Sequence, residues 1–164
     1  MIREFKSSDR KALDEMQFEL QKFFSEVDRT GESLPYKNID GANQYMQKML
    51  DDVMSMNGKI FVAEEDKAAG FIQGVIIEHK KGEDEIYDLS HSPSKEGWIG
   101  LFYVKPEYRG KGIGQDLLDE MKKYFKSQNC TDIRLLVLSD NAHAIEVYEK
   151  NGFIGHNLEM ILKI

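Results

Sequence analysis

The sequence predicts a single α+β domain, and three observations carry that prediction. Two helical patterns come before most of the strand patterns. Two strand-like stretches flank a short polar turn in the middle of the chain. An almost wholly apolar run, Trp98 to Val104, then leads through a glycine-rich turn into a third helical pattern. A plain doubly wound sheet would alternate strand and helix from the start, so this order argues against it. The 164 residues, 41% hydrophobic and 31% charged, suit one domain with its own core, and no repeat or Pro-rich linker divides them.

Each element follows from local chemistry. Ile2 to Phe5 reads as a short strand. Ser7, Ser8 and Asp9 offer caps for a helix whose apolar face is Leu13, Met16, Leu20 and Phe24. Asp28 to Asp40 carries Gly31 and Pro35 and reads as a loop. Tyr45, Met46, Met49, Leu50 and Val53 recur at helical spacing, and Asn57-Gly58 ends that helix. Lys59 to Glu64 and Ala69 to Glu78 read as a hairpin turning at Glu65, Asp66 and Lys67. His79 to Lys95 is a long polar connection.

Trp98 to Val104 reads as a strand buried on both faces, hence central, and Pro106 stops it. Ile113, Leu117, Leu118, Met121 and Phe125 mark the next helix. Ile133 to Leu138 reads as a second buried strand. Ala144, Ile145, Val147 and Tyr148 lie on a short helix that Asn151-Gly152 stops. Phe153 to Ile154 and Leu158 to Ile164 are the expected last strands.

Charge and composition narrow the function. A formal net charge of −7 disfavours phosphate backbones and anionic membranes, so neither nucleic acid nor membrane is an expected partner. The same acidity suits a cationic acceptor, and equally suits plain solubility. No apolar run approaches the ~20 residues of a membrane helix. Met-Ile-Arg-Glu-Phe lacks the apolar segment of a signal peptide, and the single Cys130 has no internal disulfide partner. The expected compartment is the cytoplasm.

The string Arg109-Gly110-Lys111-Gly112-Ile113-Gly114 lies between a strand and an amphipathic helix. A helix start offers unpaired N–H groups and partial positive charge, and glycines let a phosphate come close. A Walker loop is excluded, because no Gly-Lys-Ser or Gly-Lys-Thr follows at its spacing. A dinucleotide fingerprint fails too: its third glycine would fall on Gln115, or on Leu117 if counted from Gly112.

The remaining reading is a pyrophosphate loop of another kind. Arg-x-x-Gly-x-Gly after a strand, inside Leu101-Phe102-Tyr103-Val104-Lys105-Pro106-Glu107-Tyr108-Arg109-Gly110-Lys111-Gly112-Ile113-Gly114, resembles that of the GNAT superfamily of N-acetyltransferases. Asn141, Ala142, Ala144, Tyr148 and Asn151-Gly152-Phe153 resemble the same family's C-terminal motif. The agreement covers the last third of the chain.

The resemblance implies a mixed, mostly antiparallel sheet of about six to seven strands flanked by helices (α/β/α), across one domain of residues 1–164. It implies acetyl transfer from acetyl-CoA to a primary amine by direct attack in a ternary complex, with no metal. Phe102, Tyr103 and Val104 match the strand whose backbone holds the pantetheine arm, and Arg109 through Gly114 the pyrophosphate loop. Asn141 matches a cofactor contact, or caps its helix, or both. Tyr148 matches a general acid: a phenol of pKa near 10 is protonated at neutral pH and can protonate a departing thiolate. The Val104 N–H is the candidate oxyanion donor.

A base is harder to place. Some relatives carry a glutamate where this chain has Trp98. Glu96, two residues earlier on the same strand face, is the candidate base, with Glu78 and His79 as further options and a solvated acid as the alternative. The acceptor is a small amine or a protein amino group. A non-catalytic acyl-CoA sensor and a transferase of longer acyl chains are the alternatives, and a homodimer is compatible with the family. His79, His91, His143 and His156 form no metal-ligand spacing. The acidic stretch Glu83, Asp84, Glu85 and Asp88 reads as solvated loop rather than amine pocket.

Overall fold

Strands β1 (Ile2–Glu4), β2 (Lys59–Glu64), β3 (Ala68–His79), β4 (Ser94–Val104) and β5 (Asp132–Leu135) form one sheet in sequence order. These come from a computed structural model, which describes residues 1–79 and 94–163. The first three junctions are antiparallel and β4–β5 is parallel. Helices α1 (Arg10–Val27), α2 (Ile39–Ser55), α3 (Ile113–Ser127) and α4 (Ala142–Lys150) complete the fold. The acidic stretch 83–88 and His91 lie outside the described residues.

Alternation along the strands divides the core in two. Leu13, Met16 and Leu20 of α1 and Met46 and Met49 of α2 cover Ile60, Val62, Phe71, Leu101 and Tyr103 on one face. Ile113, Leu117, Leu118, Met121 and Phe125 of α3 cover Ile72, Ile76 and Ile99 on the other. The helical periodicities in the sequence thus become two buried layers. The hairpin turns at the predicted residues, and Asn57 ends α2 with a left-handed φ of 47°.

Of the expected caps, Asp9 is the N-cap residue of α1, but its side chain makes no cap bond to that helix. Asp9 turns back and accepts from both guanidinium N–H groups of Arg3, at 2.7 and 2.9 Å, and from the Lys6 N–H at 2.8 Å. Arg3 also donates to Glu64 at 2.5 Å, which ties β1, the helix entry and β2 together.

Two expectations fail. Ile133 to Leu138 is not a buried strand: β5 ends at Leu135, Ile133 and Leu135 are only half-buried, and Leu136 is 84% exposed. Among the described residues the chain there has no partner strand on its outer side. For the same reason the described residues from Phe153 on contain no strand, so the sheet has five strands rather than six or seven. Ile154, Leu158, Met160 and Leu162 are exposed, and Lys163 reaches the Thr30 carbonyl.

Candidate active site

The site begins where β4 and β5 part. They pair only from Glu96–Asp132 to Ile99–Leu135, while β4 runs five residues further. A bulge marks the parting: Gln73 faces Leu101 and Gly74 faces Ile99, so Gly100 is the extra residue. Beyond it, one edge of β4 is bonded to β3 and the other is open.

The open edge can be assigned residue by residue. The Lys105 N–H donates to the Ala69 carbonyl at 2.9 Å. Strand polar groups alternate direction, so the N–H and C=O of Tyr103 also face β3, and those of Phe102 and Val104 face the opening. Tyr103 instead contributes a side chain, buried under α1, whose hydroxyl donates to Glu19 at 2.8 Å. Burial and the neighbouring carboxylate hold that phenol well above its ordinary pKa.

The glycine-rich turn closes one end of the opening. Gly110 and Gly112 have φ of 75° and 82°, left-handed values that glycine adopts without strain. Gly112 caps α3 with no side-chain bond, and the first helical bond runs from the Asp116 N–H to its carbonyl at 3.0 Å. The N–H groups of Ile113, Gly114 and Gln115 therefore lack helical partners and point out of the helix start. The Arg109 N–H is not among these donors, because it is bonded to the Pro106 carbonyl at 3.2 Å. Its side chain reaches the Val104 carbonyl at 2.9 Å and lies over the Tyr103 ring. Lys111 lies over the Tyr108 ring, 5.2 Å from its centre. Both cations belong to the turn that leads into the free N–H groups, a combination suited to a pyrophosphate.

Helix α4 closes the other side. The Asn141 side chain accepts from the Ala144 N–H at 3.2 Å, which makes it the helix cap. Tyr148 is half-buried between Phe102 and Phe153, with ring centres at 6.5 and 5.6 Å. Its hydroxyl makes no hydrogen bond among the described residues, and desolvation raises its pKa to about 12. It is therefore a protonated donor with no present acceptor.

Sequence reasoning missed what holds α4 in place. Asn151 and Gln115 exchange side-chain bonds at 2.8 and 3.0 Å, and Lys122 donates to Asn151 at 2.7 Å. This locks the end of α4 to the first turn of α3. It also missed Arg29, which binds the Asp140 carboxylate from the loop after α1. No local pattern foretells either contact, since the partners lie 36 and 111 residues apart.

Glu96 is placed elsewhere. It sits where β4 and β5 are still paired, with 13% of its side chain exposed. Arg134 lies at 3.0 Å and His79 at 3.2 Å. Period-two alternation puts all three, with Trp98, on the α1–α2 face. Glu78 points to the opposite face and pairs with Lys95 at 2.8 Å. Cys130 packs against the α3 core, and burial pushes its thiol pKa up. No group of three or more His, Cys, Asp or Glu among the described residues is arranged for a metal.

Known proteins fit this arrangement. The Acetyltransferase (GNAT) family profile matches residues 18–153. The thialysine N-epsilon-acetyltransferase of Bos taurus is 38% identical over 69 residues, which are 41% of each chain. The spermine/spermidine N(1)-acetyltransferase of Bacillus subtilis is 32% identical over 57 residues, 34% of this chain and 38% of that one. The matched stretch thus spans about two fifths of these relatives' length. Among solved structures, a mutant Bacillus halodurans protein superposes with a TM-score of 0.81 at 17% identity, covering 100% of this chain and 99% of that one. Glucosamine-6-phosphate N-acetyltransferase from Arabidopsis thaliana gives 0.65 at 20% identity, covering 99% and 97%. At these identities the structural likeness establishes the fold.

Proposed function

Because the chain belongs to the GNAT family of acetyltransferases, we propose that it transfers an acetyl group from acetyl-CoA to the primary amine of a small molecule, by direct attack in a ternary complex. The observation that carries this reading is the parting of β4 and β5 between an uncapped helix start and the unbonded phenol of Tyr148. The acceptors named for the bovine and Bacillus relatives are amines. The net charge of −7 favours the approach of a cationic one.

In this reading the N–H groups of Ile113, Gly114 and Gln115 hold the pyrophosphate, with Arg109 and Lys111 beside them. The open backbone of Phe102 and Val104 holds the pantetheine arm, and the Val104 N–H faces the developing oxyanion. Gly110 and Gly112 shape the turn, and Asn141 keeps α4 at the cofactor's edge. The neutral amine attacks the thioester carbonyl, forming the C–N bond. The intermediate collapses by breaking C–S, and Tyr148 gives its proton to the departing sulfur. The proton shed by the amine leaves through water, with the Glu96–His79 pair as relay further along the same sheet face. No metal takes part.

The unpaired outer side of β5 and the exposed Leu136, Ile154, Leu158, Met160 and Leu162 favour a homodimer through that edge. Light scattering on the purified protein tests it, and a strictly monomeric mass refutes it. Among the described residues no helix is long and apolar enough to cross a membrane. The compartment we propose is the cytoplasm.

The deciding experiment pairs calorimetric titration with acetyl-CoA and thiol release with spermidine or thialysine, for wild type and Tyr148→Phe. We expect micromolar binding in both proteins and turnover reduced by about 10²- to 10³-fold in the variant. Unchanged turnover removes Tyr148 from its role. Binding without turnover on any amine leaves the sensor reading, and tighter binding of longer acyl-CoAs leaves the long-chain reading.

A further inference from the structure

The strand β3 carries one polar side chain in an apolar run: Phe71-Ile72-Gln73-Gly74-Val75-Ile76. Gln73 is 4% exposed, and neither polar atom of its amide is sealed from solvent without a partner: its tip reaches the surface. An apolar residue here would pack against its neighbours without a polar tip to solvate. Such a group needs a reason.

Its position supplies one. A Cβ built on Gly100 would lie 2.4 Å from the Gln73 Oε1, so the amide oxygen occupies the space a side chain at Gly100 would fill. Gly100 is the bulged residue at which β4 and β5 part, and it is solvent-exposed although its strand is central. The Gln73 oxygen therefore sits just under the surface at the mouth of the opening, on the face covered by α1 and α2. An extended pantetheine arm spans on the order of 15 Å, or about four to five strand residues at ~3.3 Å each. Measured back from the loop after Val104, that length ends beside Gly100. Glu96 lies four residues further, about 13 Å along the strand, and is held by Arg134 and His79.

We propose that Gln73 binds the acceptor: its Oε1 accepts a hydrogen bond from an N–H of the incoming primary amine and turns the nitrogen lone pair toward the thioester carbonyl. This rests on the acetyl-transfer reading above and adds the residue that recognises the nucleophile. An amide does not take up a proton at neutral pH, so Gln73 orients the amine while the proton departs through water. The bare Cα of Gly100 keeps the oxygen uncovered. An acceptor lacking a donor hydrogen on its nucleophilic atom, such as a tertiary amine, gains nothing from this contact.

The test is Gln73→Leu, assayed on whichever of spermidine or thialysine the wild-type protein acetylates. We expect kcat/KM for the amine to fall about 10- to 100-fold, the acetyl-CoA Kd to stay within twofold, and Tm to hold because no hydrogen bond to the described residues is lost. Gln73→Glu keeps an acceptor and should retain more activity than the leucine variant, with a new acid limb in the pH profile. Gly100→Ala should lower kcat/KM in the wild-type background and have little further effect in Gln73→Ala, because the displaced oxygen is already gone. Undiminished kcat/KM in Gln73→Leu overturns the proposal, and so does a loss matched by weaker acetyl-CoA binding or a lower Tm, which would assign Gln73 to packing. If wild type binds acetyl-CoA but turns over on no primary amine, the acetyl-transfer reading itself falls, and this inference with it.

Discussion

Two glycines in the same turn should respond to alanine in opposite ways. Gly112 has φ of 82°, and a Cβ there meets nothing within 4 Å. The cost of Gly112→Ala is therefore backbone strain alone, about 1–2 kcal/mol. For a chain of this size each kcal/mol moves Tm by roughly 2–4 °C, so a fall of about 2–8 °C is expected. Gly114 lies inside the first turn of α3, where alanine is favoured by about 0.5–1 kcal/mol. Its Cβ would touch Phe102 at 3.5 Å and Val104 at 3.8 Å, ordinary contact distances. Gly114→Ala should thus leave Tm unchanged or raise it by roughly 1–4 °C. Yet that methyl stands at the mouth between the uncapped N–H groups and the open backbone of β4. If phosphate and pantetheine come close there, Gly114→Ala should weaken acetyl-CoA binding at least about tenfold, or 1.4 kcal/mol. Thermal melting and calorimetry on the same two variants separate the effects. A Gly114→Ala protein that melts higher and binds acetyl-CoA as tightly as wild type would refute close approach at this turn. A Gly112→Ala protein with wild-type Tm would refute the left-handed cap.

Other perturbations have equally definite outcomes. Arg3→Leu leaves the buried Asp9 without its guanidinium donors and should cost about 1–3 kcal/mol at neutral pH. Arg3 holds the Asp9 carboxyl below its ordinary range, so this stabilisation is present above ordinary carboxylate pKa values and lost as pH falls through the lowered value. Chemical denaturation of wild type and variant should therefore converge in acid, and a constant gap would refute the pairing. Asn151→Ala removes the tie between α4 and α3 and should lower kcat several-fold while the acetyl-CoA Kd holds, as single-turnover rates would reveal. Because desolvation lifts the Tyr148 phenol to about 12, kcat should show no alkaline limb below roughly pH 10 that Tyr148→Phe abolishes. Glu96→Gln keeps the hydrogen-bonding shape beside Arg134, so a relay role predicts less than about tenfold loss of kcat/KM. A loss above 10² in a folded variant would make Glu96 a direct base.

Much of this protein is written along the chain. The spacing of Leu13, Met16 and Leu20, and of Ile113, Leu117, Met121 and Phe125, determines two helical faces that can be buried only against a sheet. The turn at residues 65–67 determines the hairpin. The glycines at 110 and 112 determine a left-handed strand-to-helix turn, and Asn141 a helix cap. These features involve neighbours within a few residues, where backbone sterics and 3.6- or 2-residue periods act. Tertiary structure alone decided the rest. The apolar character of Ile133 to Leu138 could not reveal that the strand stops at Leu135, because strand length depends on a partner edge. The bulge that bares Gly100, the lock between Asn151 and Gln115, and the separation of Glu96 from the opening each depend on residues distant in sequence. So does the placement of Gln73: a glutamine in an apolar strand is visible in the sequence, but only the packing of β3 against β4 shows that its oxygen lies where a side chain at residue 100 would be.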